Sequence, residues 1–197
     1  LGPFAARWAA FRAGQGPCAV AVIGGGVAGA EIAMAMSHAL CIDARPNKVT
    51  LIDRGQALSA LRPAAAAKLR AALAAQHIDV IEGAEIARIT ADAITLTNGQ
   101  EIAADFVTGA AGARPYAWLS NSGLDLTNGF ISVGATLQSS DRDVFAVGDC
   151  AHLAHAPRPK AGVYAVRQAP VLYDNLRARL AGQSGLRRYQ PQGDYLK

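Results

Sequence analysis

The chain alternates apolar runs with glycine-rich breaks, and the period of the apolar positions changes along its length. Phe4, Trp8 and Phe11 fall at i, i+4 and i+7, one face of a short helix. "AGQGP" ends that pattern, and residues 1–17 read as a linker helix and its exit. "CAVAVI" (18–23) is a continuous apolar strand, the kind buried on both faces of a parallel sheet. A glycine loop follows, then a helix through "AGAEIAMAMSHAL" and a second buried strand, "KVTLID" (48–53). "RPAAAAKLRAALAAQH" (62–77) is a helix with proline in its first turn, and "IDVIEG" is a third strand. The period then switches to two. "AEIARIT", "AITLT" and "QEIAA" alternate, and Asn98-Gly99 marks a hairpin between the last two. "FVTGAAGARP" (106–115) is an apolar strand running into glycines, and "FISVG" and "VFAVGD" read as two more short strands. From Ala161 to Leu180 the pattern is helical, with Pro170 expected to kink it.

Strands alternating with helices predict an α/β fold with a parallel sheet, interrupted by an antiparallel β excursion. With 197 residues, 51% hydrophobic and 17% charged, the chain reads as globular. No apolar run is long enough for a transmembrane segment. The formal net charge of +4 is mild and its basic residues are scattered, so no nucleic acid is expected as a partner. Three cysteines without a close pair suggest a reducing compartment, hence a cytoplasmic location. Cys150, His152 and His155 give C-x-H-x-x-H with no further ligand cluster, so no metal site is expected.

The candidate chemistry sits in two places. The first is "GGGVAG", residues 24–29, where Gly24, Gly26 and Gly29 match G-x-G-x-x-G, with Gly25, Val27 and Ala28 between them. A buried strand precedes the loop, a helix follows it, and the second strand ends in Asp53. Gly24 permits the tight turn, Gly26 lets a pyrophosphate approach the backbone, and Gly29 lets helix and strand pack closely. The helix N-terminus then offers free N–H groups to the phosphates. Asp53 suits the two ribose hydroxyls of an adenosine and repels a 2′-phosphate, which favours NAD. Its neighbour Arg54 weakens that preference and leaves NADP open. Glu31 reads either as a solvated first-turn acid or as a carboxylate near the nicotinamide end.

The second is "VFAVGDCAHL", where an apolar run ends on Gly148 and the lone acid Asp149. The order of glycine loop, antiparallel excursion, "TGAAGARP" (108–115, containing Gly109) and "VFAVGD" resembles the pyridine nucleotide–disulfide oxidoreductase superfamily. Those flavoproteins insert an NAD domain into an FAD domain, so the resemblance implies a Rossmann-like FAD/NAD(P)-binding architecture. It implies an NAD(P)-binding domain over residues 18–112 and the C-terminal part of an FAD-binding domain over 113–197. By the same resemblance Asp149 bonds the ribityl chain of FAD. Lys160, Ala161 and Gly162 then bring a helix N-terminus to the flavin edge, where the positive dipole end stabilises charge developing on reduction. The closer look-alike is the branch with type II NADH dehydrogenases and sulfide:quinone reductases, and "RPKAGVYAVRQAPVLYDNL" and "LRRYQPQGDYLK" look most like the flavoprotein module joined to selenide, water dikinase. That branch leaves room for peripheral membrane association of the parent protein.

The first glycine loop of an FAD domain, and the redox-active cysteine pair of the disulfide-reducing members, are not seen here. The chain therefore reads as a fragment of an oxidoreductase that passes a hydride from NAD(P)H to FAD and on to an unidentified electron acceptor. No residue of the chain is required as catalytic nucleophile or base. The other reading is an NAD-binding regulatory module without turnover. The fragment alone is expected to bind FAD weakly. Its returning FAD portion is expected to be partly disordered or to form a homodimer through its exposed sheet edge.

Overall fold

The computed structural model describes residues 2–193, which form two compact units, one ending at Ala111 and the other beginning at Gly112. In the first, a helix α1 (Gly2–Arg12) precedes β1 (Cys18–Ile23), α2 (Val27–Ile42), β2 (Asn47–Ile52), α3 (Pro63–Ala75) and β3 (Asp79–Ile81). Then come β4 (Ile86–Ile89), β5 (Ala93–Leu96), β6 (Glu101–Ala103) and β7 (Phe106–Gly109). A four-stranded parallel sheet has the order β3-β2-β1-β7, and β4-β5-β6 form an antiparallel sheet. This is one mononucleotide-binding half of a doubly wound fold.

The side-chain period of two explains the unbroken apolar strands. Val20 and Val22 of β1, with Val49 and Leu51 of β2, pack with Ala30, Ala33, Met36 and Leu40 of α2. Ala21 and Ile52, from the opposite face, pack with Ile94, Leu96 and Ile102 of the antiparallel sheet. Each strand is thus buried on both sides, as "CAVAVI" requires. The aromatic stripe of α1 finds its partner in β7: the rings of Phe4, Trp8 and Phe11 lie 6.0, 5.2 and 5.1 Å from that of Phe106.

The second unit contains β8 (Leu126–Thr127), β9 (Phe130–Val133), β10 (Ala151–Leu153) and α4 (Gly162–Leu180). β8 and β9 are antiparallel, and β10 lies parallel to β9. α4 buries Tyr164, Gln168, Val171 and Asn175, spaced i, i+4, i+7 and i+11, and runs unbroken through Pro170. Its Val171 joins Ile131, Val133, Leu153 and Tyr189 in the core. Residues 181–193 after α4 have no regular structure but are anchored. The fully buried Asn175 donates to the carbonyls of Thr136 and Arg187 (both 2.8 Å) and accepts from the Arg187 N–H (2.7 Å). The last residues of the tail motif, 194–197, lie outside the described residues.

The expectation for "VFAVGD" is corrected, and that for Asn98-Gly99 holds. "VFAVGD" is extended but not a strand: Phe145 makes only an isolated bridge to Gln138, and Gly148–Cys150 form a single 3-10 turn. The strand lies just beyond it, at "AHL", so Asp149 precedes a strand instead of ending one. The Asn98-Gly99 hairpin forms, but only Gly99 has positive φ (85°), with Gly99 N–H donating to the Leu96 carbonyl. The two-residue turn with both residues left-handed is Asn128 (φ 53°) and Gly129 (φ 80°), between β8 and β9. Among the described residues no helix is long and apolar enough to cross a membrane.

Candidate functional site

The three glycines of the first loop are required for three different reasons. Gly24 turns with φ +109°, and a Cβ there would lie 2.7 Å from the Ala110 carbonyl group. A Cβ on Gly29 would fall 1.8 Å from the carbonyl oxygen of Gly24, so the helix can approach the strand end only without one. Gly26 is the exposed one, and a Cβ there would meet nothing within 4 Å. The first two glycines serve the fold. Gly26 alone leaves open space in front of the backbone, the space a diphosphate would need. Gly26 is also the N-cap of α2, which begins at Val27, so Val27 and Ala28 are its first helical residues. Their N–H groups have no acceptor within the helix. Glu31 is exposed on the next turn.

Asp53 follows β2 directly and is held from two sides. One carboxylate oxygen accepts from the Gly25 N–H and the other from the Gly55 N–H (2.7 Å). The acid thus ties the glycine loop to the loop after β2. Leu58 closes the same seam, donating its N–H to the Gly25 carbonyl (2.7 Å). Arg54 projects from this loop and is exposed. Gly109, at the end of β7 beside Ile23 of β1, is also exposed.

The second group gathers in the other unit. A small open cleft is lined by Gly148, Asp149, Lys160 and Ala161 together with Tyr164 and Gln168. Gly148 has φ +69°, and a Cβ there would press on Ala165 at 3.2 Å. Its N–H donates to Oε1 of the buried Gln168 (2.7 Å), which fixes the 3-10 turn against α4 and leaves the Asp149 carboxylate exposed. α4 begins at Gly162 with Ala161 as its N-cap in extended conformation. Lys160 is engaged within the unit: its ammonium donates to the Ala151 carbonyl and lies 4.0 Å from the Phe130 ring centroid. Burial holds its pKa below the usual lysine range, against the pull of Asp149. The cleft thus offers one free carboxylate and one helix N-terminus, with a lysine set in its wall.

Sequence reasoning named the cleft's polar ends but missed Gln168, because a buried glutamine within a helix carries no motif. It also missed Arg70 and Glu82 beside the Asp53 loop, which lie 12 residues apart and meet only in the fold. Among the described residues no cluster of histidine, cysteine or acid is arranged to hold a metal ion.

Comparisons with known proteins extend this geometry. The chain is 38% identical over 139 residues to the nitric oxide reductase FlRd-NAD(+) reductase of Aeromonas hydrophila, covering 66% of this chain and 34% of that protein. It is 34% identical over 138 residues to the rubredoxin-NAD(+) reductase of Ectopseudomonas oleovorans, covering 67% and 34%. The chain therefore spans about a third of the length of these curated relatives. Among solved structures, Fdr9 matches with a TM-score of 0.73 at 26% identity, covering 95% of this chain and 47% of that one. The covalent putidaredoxin reductase–putidaredoxin complex matches at 0.66 and 25%, covering 89% and 43%. Three of these names carry a redox-protein partner: FlRd, rubredoxin and putidaredoxin. The family model described as pyridine nucleotide-disulphide oxidoreductase matches residues 5–169, most of the chain. The chain belongs to that family, the FAD- and NAD(P)-dependent pyridine nucleotide-disulphide oxidoreductases.

Proposed function

We propose that the unit ending at Ala111 binds NAD(H) across its glycine loop, and that the unit from Gly112 holds the ribityl and flavin-edge part of an FAD. Together they would serve a reductase whose electrons leave for a small redox protein. The observation that carries this reading is the open face of Gly26 at the head of α2. There the phosphates of a dinucleotide can meet unpaired N–H groups and the positive helix end without displacing any protein atom. Asp53 gives the loop after β2 a negative charge, which favours an unphosphorylated adenosine ribose.

The cleft at Gly148–Ala161 supports the flavin half. Asp149 offers an exposed acceptor for hydroxyls, and the N-terminus of α4 offers a positive dipole end. A flavin held by Asp149 and the head of α4 would supply the hydride-accepting and electron-transfer chemistry. The protein's share is to bind, orient and set the local field. A bare NAD-responsive module would have no use for this cleft, which weighs against that reading. The redox-protein acceptor follows the named relatives, which are reductases of this kind.

Calorimetric titration of the chain with NADH tests the reading. Saturable one-site binding that disappears in Gly26→Val is the expected result. Equal affinity in the variant would place the nucleotide elsewhere.

A further inference from the structure

The loop after β2 is held by more than Asp53. Ala57, buried at 2% exposure, lies beneath the glycine loop, where its Cβ would be 2.7 Å from a Cβ on Gly25. Both backbone groups of Ala57 are taken by one side-chain pair. Glu82, just after β3, accepts the Ala57 N–H at 2.7 Å. Arg70, on α3, donates to the Ala57 carbonyl at 2.8 Å and to the same Glu82 oxygen at 2.5 Å. The loop is pinned at its far end too: Gly83 N–H donates to the Gly55 carbonyl and Ala84 N–H to that of Asp53, both at 2.9 Å. Leu58 adopts φ +61°, a left-handed conformation that leucine rarely takes, and its side chain is 3% exposed in the core. A backbone so placed needs support from its surroundings.

We propose that Arg70 and Glu82 are positioning residues for nucleotide choice: they hold the 53–58 loop so that Asp53 faces the adenosine ribose, and Glu82 adds a second negative charge that disfavours NADP(H). The proposal rests on the NAD(H) reading of the glycine loop. The charged groups that act on Glu82 are Arg70 on α3 and Asp53 on the loop itself. The hydrogen bond from Arg70 holds the Glu82 carboxyl below its usual range, so it stays ionised at neutral pH, with Asp53 opposing. A 2′-phosphate at this loop would then meet the Asp53 and Glu82 carboxylates, the latter only partly offset by its partner Arg70, beside the exposed Arg54. Losing the Glu82 charge lowers that repulsion. Losing Arg70 releases Ala57, and with it the register of Asp53 against Gly25.

Kd values for NADH and for NADPH, measured on the full chain, test this. Glu82→Gln keeps an acceptor for the Ala57 N–H but removes the charge, and is expected to narrow the NADPH-to-NADH Kd ratio at least about threefold. Arg70→Met is expected to weaken NADH binding by about fivefold to tenfold, with partial rescue in Arg70→Lys. Asp79→Asn, which breaks the exposed Lys48–Asp79 pair of the same sheet, is the control and should leave the ratio unchanged. A merely structural pair would lower both affinities equally, so an unmoved ratio in Glu82→Gln with wild-type NADH binding intact overturns the proposal alone. Absence of NADH binding in the wild type overturns the glycine-loop reading and this proposal with it.

Discussion

Gly26 and Gly29 stand three residues apart in one motif, yet they answer to different physics. A side chain on Gly26 enters open space, whereas one on Gly29 collides with the carbonyl of Gly24 at 1.8 Å. Gly26→Val should therefore abolish NADH binding with the melting temperature nearly unchanged. Gly29→Ala should cost more than about 2 kcal/mol of stability, because backbone must move. Denaturant melts of the two variants beside NADH titrations separate these effects, and a stable Gly29→Ala protein would contradict the packing described. Glu82 allows a second prediction at this scale. Its folded pKa is depressed beside Arg70, so its contribution is present above the ordinary carboxylate range and is lost as pH falls through the folded value. The pair is about one-third exposed on each side, which limits the effect to about 1 kcal/mol or less. Urea midpoints of wild type and Glu82→Gln should differ at pH 7 and converge as pH falls below about 4. A gap that persists at acid pH would show that the ion pair is not its source.

Elements with a strong period were legible in the sequence, and those without one were not. β1, β2, α2 and α3 follow from unbroken apolar runs, the glycine loop and an alanine-rich stretch with proline at its start. "VFAVGD" has the composition of a strand, but Gly148 at φ +69° breaks the extended path, and pairing begins only at Ala151. β8 has two residues, too few to show an alternation, so the Asn128-Gly129 turn passed unnoticed while Asn98-Gly99 stood out between longer runs. The anchoring of the tail was invisible for another reason: Asn175 bonds to residues 39 and 12 positions away. Asn175→Ala removes the three hydrogen bonds of a fully buried side chain and should destabilise the second unit by about 2–4 kcal/mol. Amide exchange should then rise in α4, β9 and residues 183–193 while β1 and β2 keep their protection. Unchanged exchange in the tail would mean that Tyr189 and its neighbours hold the segment without Asn175.

The molecule carries one glycine loop of the dinucleotide type and one cleft with the features of a flavin edge site, in separate units. The cleft offers Asp149 and the head of α4, but the sequence holds no second G-x-G-x-x-G to anchor another diphosphate. On the proposed reading the purified chain should show little flavin absorbance near 450 nm, roughly the usual flavin maximum, while binding NADH. A yellow protein with near-stoichiometric FAD would mean that a second copy or another chain completes the site. The central claim is that nicotinamide nucleotide is bound at the head of α2 against the Asp53 loop. Its most direct test is hydrogen–deuterium exchange of the whole chain with and without NADH. We expect new protection confined to residues 24–31 and 53–58, absent in Gly26→Val. Protection centred on residues 148–162, or none at saturating NADH, would contradict it.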